Sequence, residues 1–188
     1  MQKLWKAYFY GSSGRDFSAF NLKNNSTKSS ALYELLSLPC FSTNNLRIYS
    51  EGATRTRIEK TKEIADNPIV QKYLHVCCTN GNNCNWCLKC KRTILTLDAL
   101  GKLDDFKNVF NIEYYKKNKL EYLKWLYREH ISDGKMYDPI YEHYKKEISI
   151  FIKLEYWANY YFKHLFKAYK SNGHKIYEFF GIRISIRI

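Results

Sequence analysis

Five cysteines fall within fourteen residues: Cys77, Cys78, Cys84, Cys87 and Cys90. The last three make a Cys-x2-Cys-x2-Cys run. The stretch Thr79-Asn80-Gly81-Asn82-Asn83 is built of turn-forming residues, so it can fold the upstream pair back towards that run. Thiolates are soft ligands and a tetrahedral metal site needs four of them, so the chemistry points to one zinc ion. Cys87 and Cys90 sit three positions apart at the start of a predicted helix, which turns both side chains to one side. The helix N-terminus favours thiolate charge, and Lys89, Lys91 and Arg92 can offset what the metal leaves uncompensated. Four sulfurs leave no position for water, so the predicted zinc is structural and not catalytic.

Other uses of clustered cysteines fit less well. Iron–sulfur clusters also take Cys-x2-Cys-x2-Cys, but the Cys-Pro dipeptide of the bacterial ferredoxin run is missing. A redox Cys-x-x-Cys pair would not need five cysteines. Spacing leaves open whether Cys77 or Cys78 is the first ligand. His75, two residues before Cys77, would point the same way in a strand, but the cysteines suffice without it. Cys40 stands alone and reads as a small buried apolar residue. Clustering with two-residue gaps argues for a reducing compartment, hence the cytoplasm.

The elements that must position these residues follow from pattern. Leu46–Tyr49 alternates apolar and polar, a short strand ending at Gly52. Thr56 and Glu59 have capping-box spacing ahead of a helix over 57–66, and Pro68 can open another. Tyr73–Cys77 reads as a strand delivering the first cysteine. Over 87–100, Leu88, Ile94, Leu95, Leu97 and Leu100 define a helix that Gly101 can end. Short helices are expected over 31–38, before Pro39, and over 104–110. Beyond residue 111 the pattern is helical: 115–130, 139–147 and a long helix over 148–170 with Phe151, Leu154, Ala158, Tyr161, Leu165 and Tyr169 as a stripe. That stripe reads as core or partner packing in preference to a membrane surface. The alternating tail after Gly181 is either an edge strand or a loose end.

The expected fold is therefore α+β and α-rich. Residues 1–40 form an irregular segment, 41–110 hold short strands with a four-cysteine zinc knot and its helix, and 111–188 form a helical appendage. Hydrophobic residues make up 45% of the 188, enough for a core. No run is long and apolar enough to cross a membrane, and no secretory leader is visible. The formal charge is +13, from 31 Lys and Arg against 18 Asp and Glu, but it is spread along the chain instead of gathered in one block. No Ser/His/Asp or Cys/His nucleophile arrangement stands out.

Five pieces, in order, resemble the C-terminal part of PP-loop ATP pyrophosphatases of the adenine-nucleotide alpha-hydrolase group, among them the 7-cyano-7-deazaguanine synthases. They are Leu-Arg-Ile-Tyr-Ser-Glu-Gly (46–52), Thr-Arg-Ile-Glu-Lys-Thr (56–61), Val-Cys (76–77), Asn-Cys-Asn-Trp-Cys-Leu-Lys-Cys-Lys-Arg-Thr (83–93) and Leu-Asp-Ala-Leu-Gly (97–101). The resemblance implies a structural zinc on Cys77, Cys84, Cys87 and Cys90, with Cys78 outside the set. It also implies substrate or phosphate contacts from Arg57, Lys60 and Arg92. Their local reading is a solvated helix face for Arg57 and Lys60, and a salt bridge or a place beside the zinc thiolates for Arg92. The group's ATP-binding loop is Ser-Gly-Gly-x-Asp-Ser after a first strand. Ser12-Ser13-Gly14-Arg15-Asp16-Phe17 is only superficially like it, since no proper apolar strand precedes it and a Ser/Asn/Lys run follows. The expected function is thus a zinc-stabilised C-terminal module, a fragment or partner without the ATP-binding loop and inactive alone. ATP would enter only through an upstream or partner PP-loop domain. The competing expectations are a basic zinc-ribbon-like nucleic-acid-binding module and a structural subunit of a separate nucleotide-binding protein; a homo-oligomer is compatible with each.

Overall fold

A computed structural model describes residues 4–11, 34–78, 81–132, 134–171, 174–179 and 182–187. It is mixed α and β with helix predominating, as composition and periodicity predict. β1 (Ala7–Gly11) and β2 (Arg47–Glu51) pair in parallel, from Ala7 opposite Arg47 to Gly11 opposite Glu51. Helix α1 (Glu34–Cys40) packs on β2, and Ser50 donates a 3.3 Å hydrogen bond to Glu34 Oε1. At the end of β2 the chain turns through Gly52 at φ +74°, a left-handed conformation that costs glycine little. A Cβ there would stand 3.1 Å from Lys60 Cδ, so glycine also lets that side chain lie against the turn.

Helix α2 (Arg57–Ile64) starts on the predicted capping box. Thr56 Oγ1 accepts from the Glu59 amide, and Glu59 Oε2 accepts from the Thr56 amide at 2.7 Å. Helix α3 (Pro68–Tyr73) opens with Pro68 behind an Asn67 cap. Helix α4 (Leu88–Ala99) is central: Ile94, Leu95 and Leu97 are fully buried among Phe106, Tyr115, Tyr122, Leu126, Ile140 and Tyr144. Around it lie a 3-10 turn (Leu103–Phe106), α5 (Ile112–Ser132), α6 (Gly134–Tyr144) and α7 (Ile150–Leu165). One apolar cluster runs from Ala65 to Ile152, so the cysteine region and the helices after it share a core.

Tyrosines serve in this core because their hydroxyls find acceptors. Tyr115 and Tyr144 each donate to Asp98 Oδ2 at 2.5 Å, and Tyr144 also reaches Leu95 O at 3.2 Å. Burial first, then the bond to Asp98, pushes both phenols far above the ordinary tyrosine range. The folded state therefore binds these protons more tightly than the unfolded chain, whose tyrosines ionise near pH 10. Their contribution is complete below about pH 10 and is lost as pH rises beyond it. We expect the urea midpoint to fall above pH 10, with part of the tyrosinate absorbance appearing only on unfolding. Tyr115→Phe should make that alkaline fall shallower; an unchanged slope would dismiss the linkage.

Several expectations are corrected. Residues 7–11, expected in an irregular segment, form a strand directly before Ser12, so the missing-strand argument against a loop there falls. Ser12–Phe17 themselves lie outside the described residues. Tyr73–Cys77 is not a strand: α3 includes Tyr73, and 74–77 have no regular structure. The 31–38 helix runs Glu34–Cys40 with Pro39 inside it. Cys40 is exposed and not a core residue. The appendage is not all helix. The helix predicted over 148–170 ends at Leu165, and β3 (Phe166–Ser171), β4 (His174–Phe179) and β5 (Ile182–Arg187) form an antiparallel meander. The tail is thus an edge strand. On α7 it is Ile152 that is buried, while Phe151, Leu154 and Tyr161 of the predicted stripe face outwards.

Candidate metal centre

Three short devices bring the four sulfurs together. The irregular segment after α3 carries Cys77 inwards and is held by Asn83. The Asn83 Oδ1 accepts from the Val76 amide at 2.9 Å and the Cys77 amide at 3.2 Å, and its Nδ2 donates to Leu74 O at 2.8 Å and Val109 O at 3.0 Å. All the bonds an amide side chain is best suited to make are used, which lets Asn83 be buried. Asn85 then takes φ +68°, a region asparagine tolerates, and reverses the chain between Cys84 and Cys87. Its carbonyl accepts from the Tyr122 hydroxyl and its Oδ1 from the Asn111 amide, tying the turn to α5. Finally Cys87 caps α4, with Sγ accepting from the Cys90 amide at 3.5 Å, while Cys84 Sγ accepts from the Cys87 amide at 3.3 Å.

The Sγ atoms of Cys77, Cys84, Cys87 and Cys90 all lie within 4.8 Å of one another. The Cys77–Cys87 and Cys84–Cys90 separations are both 3.9 Å. A tetrahedron of sulfurs bonded at ~2.3 Å has edges of about 3.8 Å, so the arrangement fits one metal ion. It does not fit disulfides, which require about 2.05 Å, and none of the four is disulfide-bonded. Cys90 is fully buried and Cys77 nearly so, whereas Cys78 is exposed and outside the group. The ambiguity left by spacing is thereby resolved in favour of Cys77. Burial pushes the Cys90 and Cys84 thiols up, so without metal these sulfurs keep their protons. His75 is exposed, lines an open groove of about 950 Å³ beside the cysteine loop, and takes no part in the cluster.

The basic candidates sit elsewhere. Arg92 makes no hydrogen bond to a cysteine sulfur and no ion pair among the described residues. Of the local roles expected for it, the salt bridge is therefore not found among these residues. Its side chain instead adjoins Arg57 on α2. Burial first, then the Arg92 charge, lowers the Arg57 pKa to about 10, with the Tyr137 phenol acting the other way. Arg57 is half-buried, not on a solvated face, and Lys60 Nζ is also buried. Sequence reasoning takes Asn83 only as a turn former and passes over Asn85; their places on either side of Cys84 are the one signal available. No protein-family model, curated protein or solved structure matches this chain.

Proposed function

We propose that this chain is a zinc-stabilised module of a PP-loop ATP-pyrophosphatase-like protein, inactive by itself and completed by a PP-loop domain. The observation that carries the reading is the cluster of Cys77, Cys84, Cys87 and Cys90 at the head of α4, in the order β2, Gly52, α2, cysteines, α4. Zinc suits it because four thiolates close a tetrahedral site and leave no position for water, so the ion holds the chain together instead of reacting. The β1–β2 pair lends support. Parallel sheets are ordinarily covered on both faces and rarely stop at two strands. Here Phe9 and Tyr49 stack on one another at the surface, and Trp5 and Tyr8 are exposed. A neighbouring α/β sheet is the natural cover for such a pair. Parallel strands of that kind present ligands at their C-terminal ends, here Gly11 and Glu51. A reducing cytoplasm is the compartment that keeps such thiols free for metal.

Metal analysis by inductively coupled plasma mass spectrometry on tag-free protein tests this. We expect about one zinc per chain by the tetrahedral argument, kept in Cys78→Ser and lost in Ser variants of Cys77, Cys84, Cys87 and Cys90. Iron in place of zinc, or no metal in freshly reduced protein, overturns the reading. So does release of pyrophosphate from ATP by the chain alone. Salt-sensitive binding to unrelated nucleic acids would favour a nucleic-acid module instead.

A further inference from the structure

Helix α7 turns its apolar side away from the core. Ile152 is buried and Tyr156 half-buried against the core cluster. On the opposite side lie Ile150, Phe151, Leu154, Trp157, Tyr161 and Phe162 at helical spacing, all exposed. No charged residue interrupts that arc. Phe151 is 76% exposed and Phe162 68%, so these rings stand clear of the rest of the chain. Folded monomers rarely leave so continuous an apolar surface to water; such patches mark contact with a protein or a membrane. The rings also brace one another, Trp157 lying 5.5 Å from Tyr160 and 5.8 Å from Tyr161 between centroids.

Residue type and charge decide between occupants. Trp, Tyr and Phe on one face, with lysines along the flanks, suit a helix lying in the headgroup region of a bilayer. Lys153 stands one turn before Trp157, and Lys163 nearly one turn after Tyr160. Stems of that length run along an apolar surface and carry the ammonium to water or to an anion. The one acid of the helix, Glu155, is held by Lys124 at 3.0 Å. From Phe151 onwards the chain has seven Lys and Arg against two Glu. A second copy brings the same lysines and the same +13 charge, so it offers no complement. Anionic lipid does. No helix of the described residues is long and apolar enough to cross a bilayer, so the contact lies in the plane of its surface. We propose that α7 docks on an anionic membrane surface through Phe151, Leu154, Trp157, Tyr161 and Phe162, with Lys153 and Lys163 on lipid phosphates. The proposal does not depend on the reading of the cysteine cluster. Other candidates carry less. The groove beside His75 mixes Lys72, Lys107 and Lys116 with Asp104 and Glu113, and the free edge of β5 sets Arg183 between isoleucines, which opposes a further strand.

The test floats the full chain, supplied with zinc, on vesicles of phosphatidylcholine with phosphatidylserine and on vesicles of phosphatidylcholine alone. We expect binding to the first that weakens with added salt, and much weaker binding to the second. The double change Phe151→Gln with Phe162→Gln should weaken binding to the anionic vesicles by about 10- to 100-fold, the factor for withdrawing one or two partly inserted rings. Lys153→Gln and Lys163→Gln should each cost about fivefold. Both phenylalanines are exposed, so circular dichroism melts of the double variant should match the parent in the absence of lipid. Brominated acyl chains should quench the tryptophan fluorescence of the bound protein, and Trp157→Phe should remove most of that quenching. No binding to the anionic vesicles overturns the proposal. Binding that ignores the phenylalanine changes also overturns it, since charge alone then accounts for the attraction, and so does quenching that survives Trp157→Phe. A dimer in light scattering that Phe151→Gln dissociates, with no vesicle binding, gives this face to a second copy and overturns it as well.

Discussion

Chelation of the metal at neutral pH is expected to unfold the centre of this protein. The cluster is not an appendage on a core that could stand without it. Cys77 and Cys90 belong to the same apolar cluster as Ala65, Ile94, Leu97 and Phe106. Structural zinc sites bind with about 10–16 kcal/mol near pH 7, and that energy is folding energy where the site does not preexist. Whole domains are stable by only about 5–15 kcal/mol. Loss of the ion should therefore remove most or all of the cooperative transition. Cys90→Ser should do so even with zinc present, because it removes a ligand and places a hydroxyl in a fully buried position. Cys78→Ser, at an exposed position, should stay within about 0.5 kcal/mol of the parent. The pH dependence has a definite sign. The Cys84 and Cys90 thiols are raised by burial, so metal must displace protons from them, and zinc affinity should climb with rising pH. Circular dichroism melts with and without chelator decide the matter. A melting temperature untouched by chelator and by Cys90→Ser would show that the cluster holds no structural ion.

The parts of the fold that can be read from sequence are those where local chemistry and tertiary environment agree. The Thr56–Glu59 box starts α2, Pro68 opens α3, and the leucines of 88–100 make a helix, because each signal acts within one turn. Leu46–Tyr49 lies almost wholly within β2, its alternation matched by alternating exposure along that strand. Misreadings arise where a distant partner decides. Tyr73–Cys77 has strand composition but no strand beside it; its backbone bonds go to Asn83, a partner composition cannot announce. Ala7–Gly11 is a strand only because Arg47–Glu51 lies alongside. Aromatic residues over 166–171 suit helix or sheet alike, and antiparallel pairing with 174–179 settles them as strand. For the site, four sulfur positions are visible in spacing because metal geometry is local. The charge of Arg92 on Arg57 is hidden from sequence because the two are distant along the chain and meet only when α2 packs on α4.

Asn83→Ala should be the most damaging substitution outside the cysteines. The side chain is buried and makes four hydrogen bonds, to two amides and two carbonyls. The segment it holds, residues 74–77, has no ladder or helix to satisfy those groups otherwise. Truncation strands several buried backbone groups at ~1–3 kcal/mol each, partly relieved where water enters, so a loss of about 3–5 kcal/mol is expected from the urea midpoint. Asn83→Asp should not rescue it. An aspartate keeps acceptors for the Val76 and Cys77 amides but turns a second oxygen towards Leu74 O and Val109 O, where a donor is required. The effect should reach the metal as well, since the Cys77 amide bond sets where that sulfur sits. Transfer of zinc to a competing chromophoric chelator should be faster and more complete from Asn83→Ala than from the parent. A variant that loses under about 1 kcal/mol and holds zinc as tightly would mean that water replaces the amide at this position. In that case the turn around Asn85, anchored on Tyr122 and Asn111, would have to position the sulfurs without it.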